Sequence, residues 1–332
     1  MANQSGQALS LRPDLIRSKA WAEELGKLVD AVGSFSDKEA MRIMKSELSD
    51  LYPRLEVTKA TWKDQQKKNK KKGRLSSVER LVEKDPILSM FEFYNDNKAV
   101  ASASIGQVYK ARIRPGPQLE AAIGKEEAAR WGGKMVAIKI QRPDVEESAS
   151  LDMYLIRRTA EWLSKFRGGD LPAIADQFGM QLFGELDYIR EADNCERFRE
   201  LYGWWNDVEV PAACRVLTRK KVLVMEWIDG EKGPWPGKDG LEMVSIGLRC
   251  SVDQLMSTGL FHADPHRGTL MLSEMRAVFE ASCIVFFAQT LMLAFFMFQA
   301  ICSRPQRGNS PLSTLEALPI SPRKKDTASL DL

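Results

Sequence analysis

The chain has 332 residues, and 44% of them are hydrophobic, which excludes a broadly disordered protein and allows one two-lobed domain or two small ones. Its 48 basic and 45 acidic residues give a net charge of +3, so the summed charge argues neither for nor against nucleic acid as a partner. The five cysteines are widely spaced and include no Cys-x-x-Cys pair, a pattern that suits reduced thiols in a reducing compartment better than a disulfide framework.

Apolar residues recur at helical spacing through residues 14–57, and we expect amphipathic helices there, ended by Pro53. Residues 1–12 contain no apolar or arginine-rich leader, so the chain as written shows no secretory or organelle signal. A lysine-rich run follows at residues 67–74. It could touch nucleic acid or an anionic membrane surface, but it has no interleaved aromatic residue for base stacking. We therefore interpret it as a solvated loop.

Apolar residues then alternate with polar ones in two runs, residues 105–108 and 136–140, which predict two strands. The Gly-, Pro- and Glu-rich residues 113–134 between them predict a long exposed hairpin. Lys139 would lie on the face opposite the apolar side chains of the second strand, because side chains alternate along a strand. A lysine held over one face of a sheet can reach a phosphate. An ordinary exposed strand lysine is the alternative interpretation.

A long amphipathic helix is predicted for residues 174–201. Three of its acids are candidates for a site, and their spacing places Asp187 and Glu191 on one face and Glu185 elsewhere. One of these acids could pair with Lys139 and fix its ammonium for phosphate contact, as a strand lysine and a helix glutamate do in kinases. A solvated helix face with arginine partners is the alternative.

The later part of the chain carries a candidate catalytic loop. Residues 222–228 predict a buried strand that leads into a connector, and the connector's backbone could meet an adenine edge. A helix over residues 241–260 would deliver the loop that holds Asp264, which we interpret as a catalytic or metal-orienting acid. The alternative is that His262, Asp264 and His266 bind iron or zinc. It is the weaker interpretation because the proline within this run limits how the three side chains could converge.

Ordered motifs extend from the first strand to this loop. They are residues 101–108, 136–143, 185–191, 224–227 and 261–266. Together they resemble the UbiB, or AarF-domain, atypical kinase-like family. Residues 5–14 resemble that family's N-terminal K-x-G-Q signature, so the resemblance covers roughly residues 4–270. It implies an α+β, protein-kinase-like two-lobed fold with a helical N-terminal extension and an incomplete C-lobe.

The resemblance divides the chain into four regions. Residues 1–95 would form the helical N-terminal extension with its lysine-rich insert, and residues 96–232 the kinase-like N-lobe. Residues 233–270 would begin the C-lobe with the catalytic loop. Residues 271–332 would be a divergent hydrophobic segment with a polar tail.

A cleft that binds ATP or ADP with Mg²⁺ is a further implication of the resemblance. Lys139 would contact the phosphates with Glu191 as its partner, and Asp264 would be the catalytic-loop aspartate. The other nucleotide-binding residues would be Ala101, Ser102, Ala103, Ser104, Gly106, Met225, Glu226 and Trp227, and the contacts of the N-terminal extension would be Gly6, Gln7, Glu185 and Asp187. The small residues of the alanine-rich loop resist the positive φ that glycine permits, so this loop cannot wrap phosphates as a glycine-rich loop does. ATPase activity or small-molecule phosphotransfer is therefore favoured over protein phosphorylation.

The resemblance also implies a place in isoprenoid quinone or prenyl-lipid metabolism. The expected partners are a nucleotide and a prenyl lipid or quinone-synthesis proteins, with a membrane surface as a further candidate and no nucleic acid. The expected location is an organelle membrane of the chloroplast or mitochondrion.

Three departures from the family pattern argue against catalytic activity. Gln4 replaces the signature lysine, Thr269 replaces a metal-binding asparagine and would be a weak metal ligand, and no Asp-Phe-Gly follows. The alternative is a catalytically incompetent pseudokinase scaffold or a truncated product associated with a membrane.

The apolar residues 281–302 would be a transmembrane segment or a divergent tail. Missing C-lobe helices would leave apolar faces uncovered, which predicts poor solubility.

Overall fold

The computed structural model of the chain describes residues 33–56, 76–102, 105–167, 170–232, 235–262, 270–273, 276–279 and 284–286. The helices are α1 (Asp37–Glu47), α2 (Tyr52–Leu55), α3 (Ser77–Lys84), α4 (Pro117–Ile123), α5 (Lys125–Trp131), α6 (Val145–Arg167), α7 (Leu171–Glu185), α8 (Tyr188–Tyr202) and α9 (Gly237–Asp253). The strands are β1 (Phe91–Phe93), β2 (Ala101–Ser102), β3 (Gly106–Ile113), β4 (Met135–Gln141), β5 (Val208–Glu209), β6 (Val222–Glu226), β7 (Glu231–Lys232), β8 (Leu260–His262), β9 (Leu270–Ser273), β10 (Arg276–Phe279) and β11 (Ile284–Phe286).

The N-terminal helices pack through the apolar residues that their spacing predicted. Met41, Met44 and Leu48 are completely buried, which confirms the helical prediction for this part of residues 14–57. Pro53 does not end the run, because it lies in the first turn of α2, where a proline costs no helical hydrogen bond. The helices predicted for residues 14–32 and the lysine-rich run lie outside the described residues.

The larger sheet is antiparallel, with strand order β1-β3-β4-β6 and with β2 added to β3. Lys139 on β4 lies opposite Val108 of β3 and Leu223 of β6. A smaller sheet with the order β5-β10-β9-β7 and the pair formed by β8 and β11 involve residues further along the chain.

The two faces of the larger sheet pack against different helices. Val136, Ile138 and Ile140 are completely buried in a core shared with α1, α3, α4 and α5. Leu223 belongs to a second core with side chains of α8 and α9. Lys139 pairs with Leu223 in register and alternates with the three buried residues, so its side chain lies on this second face. The predicted orientation of Lys139 is therefore confirmed.

The insert between β3 and β4 is helical, and the prediction of an exposed hairpin was wrong. Leu119 and Ala122 of α4 and Trp131 of α5 are buried in the core on the sheet. Their helical spacing outweighs the Gly, Pro and Glu content that suggested a loop, because the apolar face of each helix gains burial. Pro117 begins α4 at a position that suits proline.

The helix predicted for residues 174–201 is in fact two helices, α7 and α8, separated at Leu186 and Asp187. The carboxylate of Asp187 accepts a hydrogen bond from the backbone N–H of Ile189 at 3.0 Å and caps α8. Asp187 thus precedes the helix that contains Glu191, and the prediction that the two share a helix face was wrong. An aspartate that satisfies the first N–H groups of a helix favours a helix start at that point.

Large apolar side chains are exposed on two long helices. On α6, which the sequence reasoning did not predict, they are Leu151, Tyr154, Leu155, Trp162 and Phe166. On α9 and the π-helical turn that follows it, they are Leu241, Val244, Leu248, Val252, Leu255 and Met256. Uncovered apolar faces of this kind were expected from the sequence, and the poor solubility that they would cause stays a prediction.

The apolar residues 281–302 are described only at Ile284–Phe286, which form strand β11 paired with β8. Among the helices that the structure describes, none has the length and apolar character to cross a membrane.

Three buried cysteines provide a direct test of this packing. Cys195, Cys214 and Cys250 are free thiols, and burial raises the pKa of the first two to about 12 and that of Cys250 to about 11. We expect iodoacetamide at about pH 8 to leave all three unmodified in the folded chain and to alkylate them in urea, as peptide mass spectrometry would show. Rapid alkylation of any of them in the folded chain would contradict this packing.

The same thiols set a direction for the pH dependence of stability. Burial raises the pKa of these thiols in the folded chain. Their contribution to the free energy of unfolding is therefore complete below the unfolded thiol pKa of about 8.5, and it is lost as the pH rises toward the folded pKa values.

Candidate functional site

An ion pair between the larger sheet and α8 forms the centre of the candidate site. The Nζ of Lys139 donates to both carboxylate oxygens of Glu191, at 3.1 and 3.0 Å. The exposed fraction is 17% for the lysine side chain and 6% for the glutamate. Asp187 caps α8 so that Glu191 falls in the first turn, where the helix dipole favours a negative charge. The predicted pairing is present, and it holds the ammonium over one face of the sheet.

Tyr188 packs under this pair. The Lys139 Nζ lies 4.8 Å from the centre of the Tyr188 ring, within the range of a cation–π contact. The tyrosine is completely buried, and desolvation raises the pKa of its phenol above the usual value, with the Lys139 charge acting in the opposite direction and the Glu191 charge in the same one. The phenol therefore remains neutral, and the ring limits the movement of the ammonium on one side.

Gly106, at the start of β3, allows the close approach of Tyr188. A Cβ at this position would lie 2.5 Å from the carbonyl oxygen of Ile140 and 2.8 Å from the Tyr188 hydroxyl oxygen. Gly106 is itself buried. The structure thus gives this glycine a packing role that any side chain would disturb. Its predicted contact with a nucleotide stays a prediction.

The loop that precedes Gly106 is described in part. Ala101 and Ser102 pair with Val108 and Gln107 as strand β2, and both are exposed. Ala103 and Ser104 lie outside the described residues.

The predicted adenine-binding connector uses two of its N–H groups internally. The N–H of Glu226 donates to the carbonyl oxygen of Ala212 at 2.8 Å, and the N–H of Trp227 donates to the carbonyl oxygen of Met135 at 3.0 Å. Neither N–H is free to donate to an adenine. Backbone hydrogen bonds of these two residues with a base would have to come from their carbonyl oxygens. Met225 lies one position before them on β6.

The sequence profile of the ABC1 atypical kinase-like domain matches residues 71–295, more than half of the chain. The chain belongs to this family. The chloroplastic protein Activity of bc1 complex kinase 3 of Arabidopsis thaliana is 35% identical over 275 residues, which cover 80% of this chain and 31% of that protein. An uncharacterized Synechocystis protein is 32% identical over 277 residues, which cover 80% of this chain and 39% of that protein.

A solved structure supports the kinase-like fold of this ABC1 chain. It is that of a Mycobacterium tuberculosis protein in complex with erythromycin, with a TM-score of 0.51 and 22% identity, covering 92% of this chain and 70% of that chain. This likeness and the ABC1 profile together show the α+β, kinase-like fold that the motifs implied. The profile match reaches residue 295, beyond Leu270, where the recognisable motifs ended. The chain spans about 31% of the length of its Arabidopsis relative.

The acids predicted to support the N-terminal extension of the ABC1 domain lie at the junction of α7 and α8. Glu185 is the last residue of α7, and Asp187 is the N-cap of α8. Their predicted partners Gly6 and Gln7 lie outside the described residues, so these contacts stay predictions.

The predicted catalytic loop of the ABC1 domain also lies outside the described residues. This applies to Asp264, His266 and Thr269, whereas His262 ends strand β8. Within the part of the chain that the structure describes, no group of His, Cys, Asp or Glu side chains is arranged to hold a metal ion.

Sequence reasoning did not single out Tyr188 as a site residue. The available signal was its position three residues before Glu191, since residues three apart on a helix lie on one face.

Proposed function

We propose that this ABC1 chain binds ATP or ADP and that Lys139 holds the nucleotide phosphates. The ion pair of Lys139 with Glu191, both largely buried, is the observation that carries the proposal. An ammonium held by two carboxylate contacts and an aromatic ring has a fixed position before a ligand arrives. The same pairing of a strand lysine with a helix glutamate positions phosphates in kinases.

Phosphotransfer to water or to a small molecule or lipid is the proposed chemistry. Asp264 would orient the attacking hydroxyl or water and accept its proton. Mg²⁺, when bound, would neutralise charge on the phosphates, and Asp264 with the weak ligand Thr269 would help to hold it. Lys139 would stabilise the negative charge of the transferred phosphoryl group. Removal of either Lys139 or Asp264 should therefore lower the rate.

We further propose a link to isoprenoid quinone or prenyl-lipid metabolism at a membrane of a chloroplast or mitochondrion. The sequence resemblance supports this link, and relatives that carry the word chloroplastic in their names support the organelle. A prenyl lipid or a quinone-synthesis protein would be the partner of the nucleotide-bound chain.

ATP hydrolysis by the purified chain tests the proposed chemistry. We expect Lys139→Ala and Asp264→Ala each to reduce phosphate release at least about 100-fold, the usual size of the loss when a positioned charged group is removed from a phosphoryl-transfer site. Lys45→Ala is the matched control, because Lys45 lies on α1, which packs against the other face of the sheet, and pairs with buried Asp85 at 2.9 Å. Turnover that survives Lys139→Ala and Asp264→Ala together would exclude this site as its source.

A catalytically incompetent scaffold is the second candidate function. Thr269 in place of a metal-binding asparagine favours it, and so do the exposed apolar side chains of α6, since such patches mark interaction surfaces. Nucleotide binding that depends on Lys139, combined with no measurable phosphate release, would favour this candidate over the enzyme.

A further inference from the structure

Helix α6 presents a row of large apolar side chains to solvent. The row, called here the α6 row, consists of Leu151, Tyr154, Leu155, Trp162 and Phe166, which are 61%, 60%, 53%, 60% and 71% exposed. At about 100° per residue these side chains fall within about 120° of the helix circumference. Ala149 and Met153, which are buried against α7, lie on the opposite side of the helix. The α6 row is therefore one continuous strip that faces away from α7.

The strip is large for the surface of a monomer. Its three aromatic side chains alone expose roughly 400 Å², since such a side chain has about 150–250 Å² of surface. With the two leucines the strip lies at the upper end of the about 300–600 Å² of the largest apolar patch on a typical monomer. Two such strips placed face to face approach the total of about 1,200 Å² at which specific interfaces between proteins begin.

Charges of opposite sign lie at the two ends of the strip. Glu147 is exposed one turn before Leu151, and Lys165 is exposed beside Phe166. Within the part of the chain that the structure describes, neither charge has an ion-pair partner. The two residues are about 27 Å apart along the helix axis, so they cannot pair with each other within one chain.

We propose that two copies of this chain pair through the α6 row, with their α6 helices antiparallel. If the twofold axis passes between residues 156 and 157, Leu151 of each copy lies opposite Trp162 of the other, because the two residues are equally far from that point. The same axis brings Glu147 of each copy within one residue of Lys165 of the other. An ion pair between the copies then closes each end of the apolar strip, whereas parallel helices would place like charges together.

Arg158 lies near the middle of this contact and does not prevent it. Its guanidinium donates to the carboxylate of Glu161 in the same chain at 2.8 Å. Its methylene groups can lie along the strip while the paired charge stays at the edge. The contact therefore buries no unpaired arginine.

A lipid surface fits the α6 row less well than a second copy does. A helix that lies on anionic lipid is typically rich in Lys and Arg along its polar face. Helix α6 carries four acidic and four basic residues, and the acidic Glu147 stands at the edge of the strip itself. This separation of charge by sign favours an antiparallel copy.

Sedimentation velocity of the full chain at a series of concentrations tests the dimer. We expect an equilibrium between monomer and dimer whose Kd rises at least about tenfold in Leu151→Asp, which places a charge in the centre of the apolar contact. Leu248→Asp on α9 is the matched control, because Leu248 is 64% exposed, and it should leave the Kd unchanged. A chain that stays monomeric up to about 100 μM would overturn the proposal. A dimer that Leu248→Asp dissociates and Leu151→Asp does not would also overturn it.

Charge reversal tests the antiparallel register. Glu147→Lys and Lys165→Glu should each raise the dimer Kd about tenfold, because each places like charges together at both ends of the contact. The double variant restores opposite charges and should return the Kd to within about threefold of that of the unaltered chain. Such a rescue cannot arise within one chain, given the distance between the two residues. Additive losses in the double variant would overturn the antiparallel pairing.

Vesicles of phosphatidylserine and phosphatidylcholine test the lipid alternative with the same variants. We expect no difference in vesicle binding between Leu151→Asp and the unaltered chain. Vesicle binding that Leu151→Asp abolishes, in a chain that sediments as a monomer, would overturn the dimer and assign the α6 row to a membrane.

Discussion

Replacement of Glu191 by alanine should destabilise the chain by about 3–5 kcal/mol, because it removes one member of a largely buried ion pair. The ring of Tyr188 would remain beneath the ammonium, but a cation–π contact contributes only about 0.5–2 kcal/mol. Urea unfolding of Glu191→Ala beside the unaltered chain measures the difference. Glu39→Ala is the control, since its pair with Arg42 is exposed and should contribute at most about 1 kcal/mol.

A double variant separates the loss of attraction within the pair from the cost of burying the lysine charge. Lys139→Met combined with Glu191→Leu removes both charges and keeps apolar volume, and such replacements of buried ion pairs are often close to neutral. We expect this double variant to be more stable than Glu191→Ala. If Glu191→Ala unfolds at the same urea concentration as the unaltered chain, the pair does not have the burial and geometry described above.

Gly106→Ala should lower stability by about 1–3 kcal/mol, as overpacking of a filled interior does. The added Cβ would lie 2.5 Å from the Ile140 carbonyl oxygen, and this backbone atom in the centre of the sheet cannot move away without disturbing the pairing of β4 with β6. The second clash, with the Tyr188 hydroxyl at 2.8 Å, would displace the ring from beneath Lys139. Nucleotide affinity should therefore fall together with stability.

Gly247→Ala is the matched control for Gly106→Ala. Gly247 lies within α9, and a Cβ added there meets no atom within 4 Å. An alanine inside a helix is about 1 kcal/mol more favourable than glycine, so this variant should melt at the same temperature or higher. Equal melting temperatures for Gly106→Ala and the unaltered chain would show that the sheet and α8 do not approach as closely as described.

Only one half of the ion pair at the centre of the site follows from local periodicity. Alternation along β4 determines which face Lys139 occupies, whereas its partner Glu191, in the first turn of α8, is 52 residues away in the sequence. The choice among Glu185, Asp187 and Glu191 followed from the resemblance. The structure explains why Glu191 is the partner of Lys139. Asp187 caps α8 with its carboxylate, and Glu185 ends the preceding helix.

The parts that could not be predicted depend on contacts between distant segments. The approach of Tyr188 to Gly106 requires α8 to cross the start of β3, and no local pattern contains that information. The use of the Glu226 and Trp227 N–H groups likewise depends on Ala212 and Met135, which other segments of the chain bring alongside. The insert that forms α4 and α5 is a different case. Its apolar spacing was present in the sequence but was outweighed by its glycine and proline content.

The melting temperature of the purified chain with ADP or ATP, with and without Mg²⁺, tests the nucleotide site most directly. A ligand that binds only the folded chain stabilises it by about 2.7 kcal/mol at a concentration 100-fold above its Kd. We predict a rise in the midpoint that Lys139→Met abolishes and Lys45→Met retains, since both variants remove a lysine from an acidic partner but only Lys139 faces α8. No rise in a chain that still melts cooperatively, or an equal rise in Lys139→Met, would contradict a nucleotide site at Lys139.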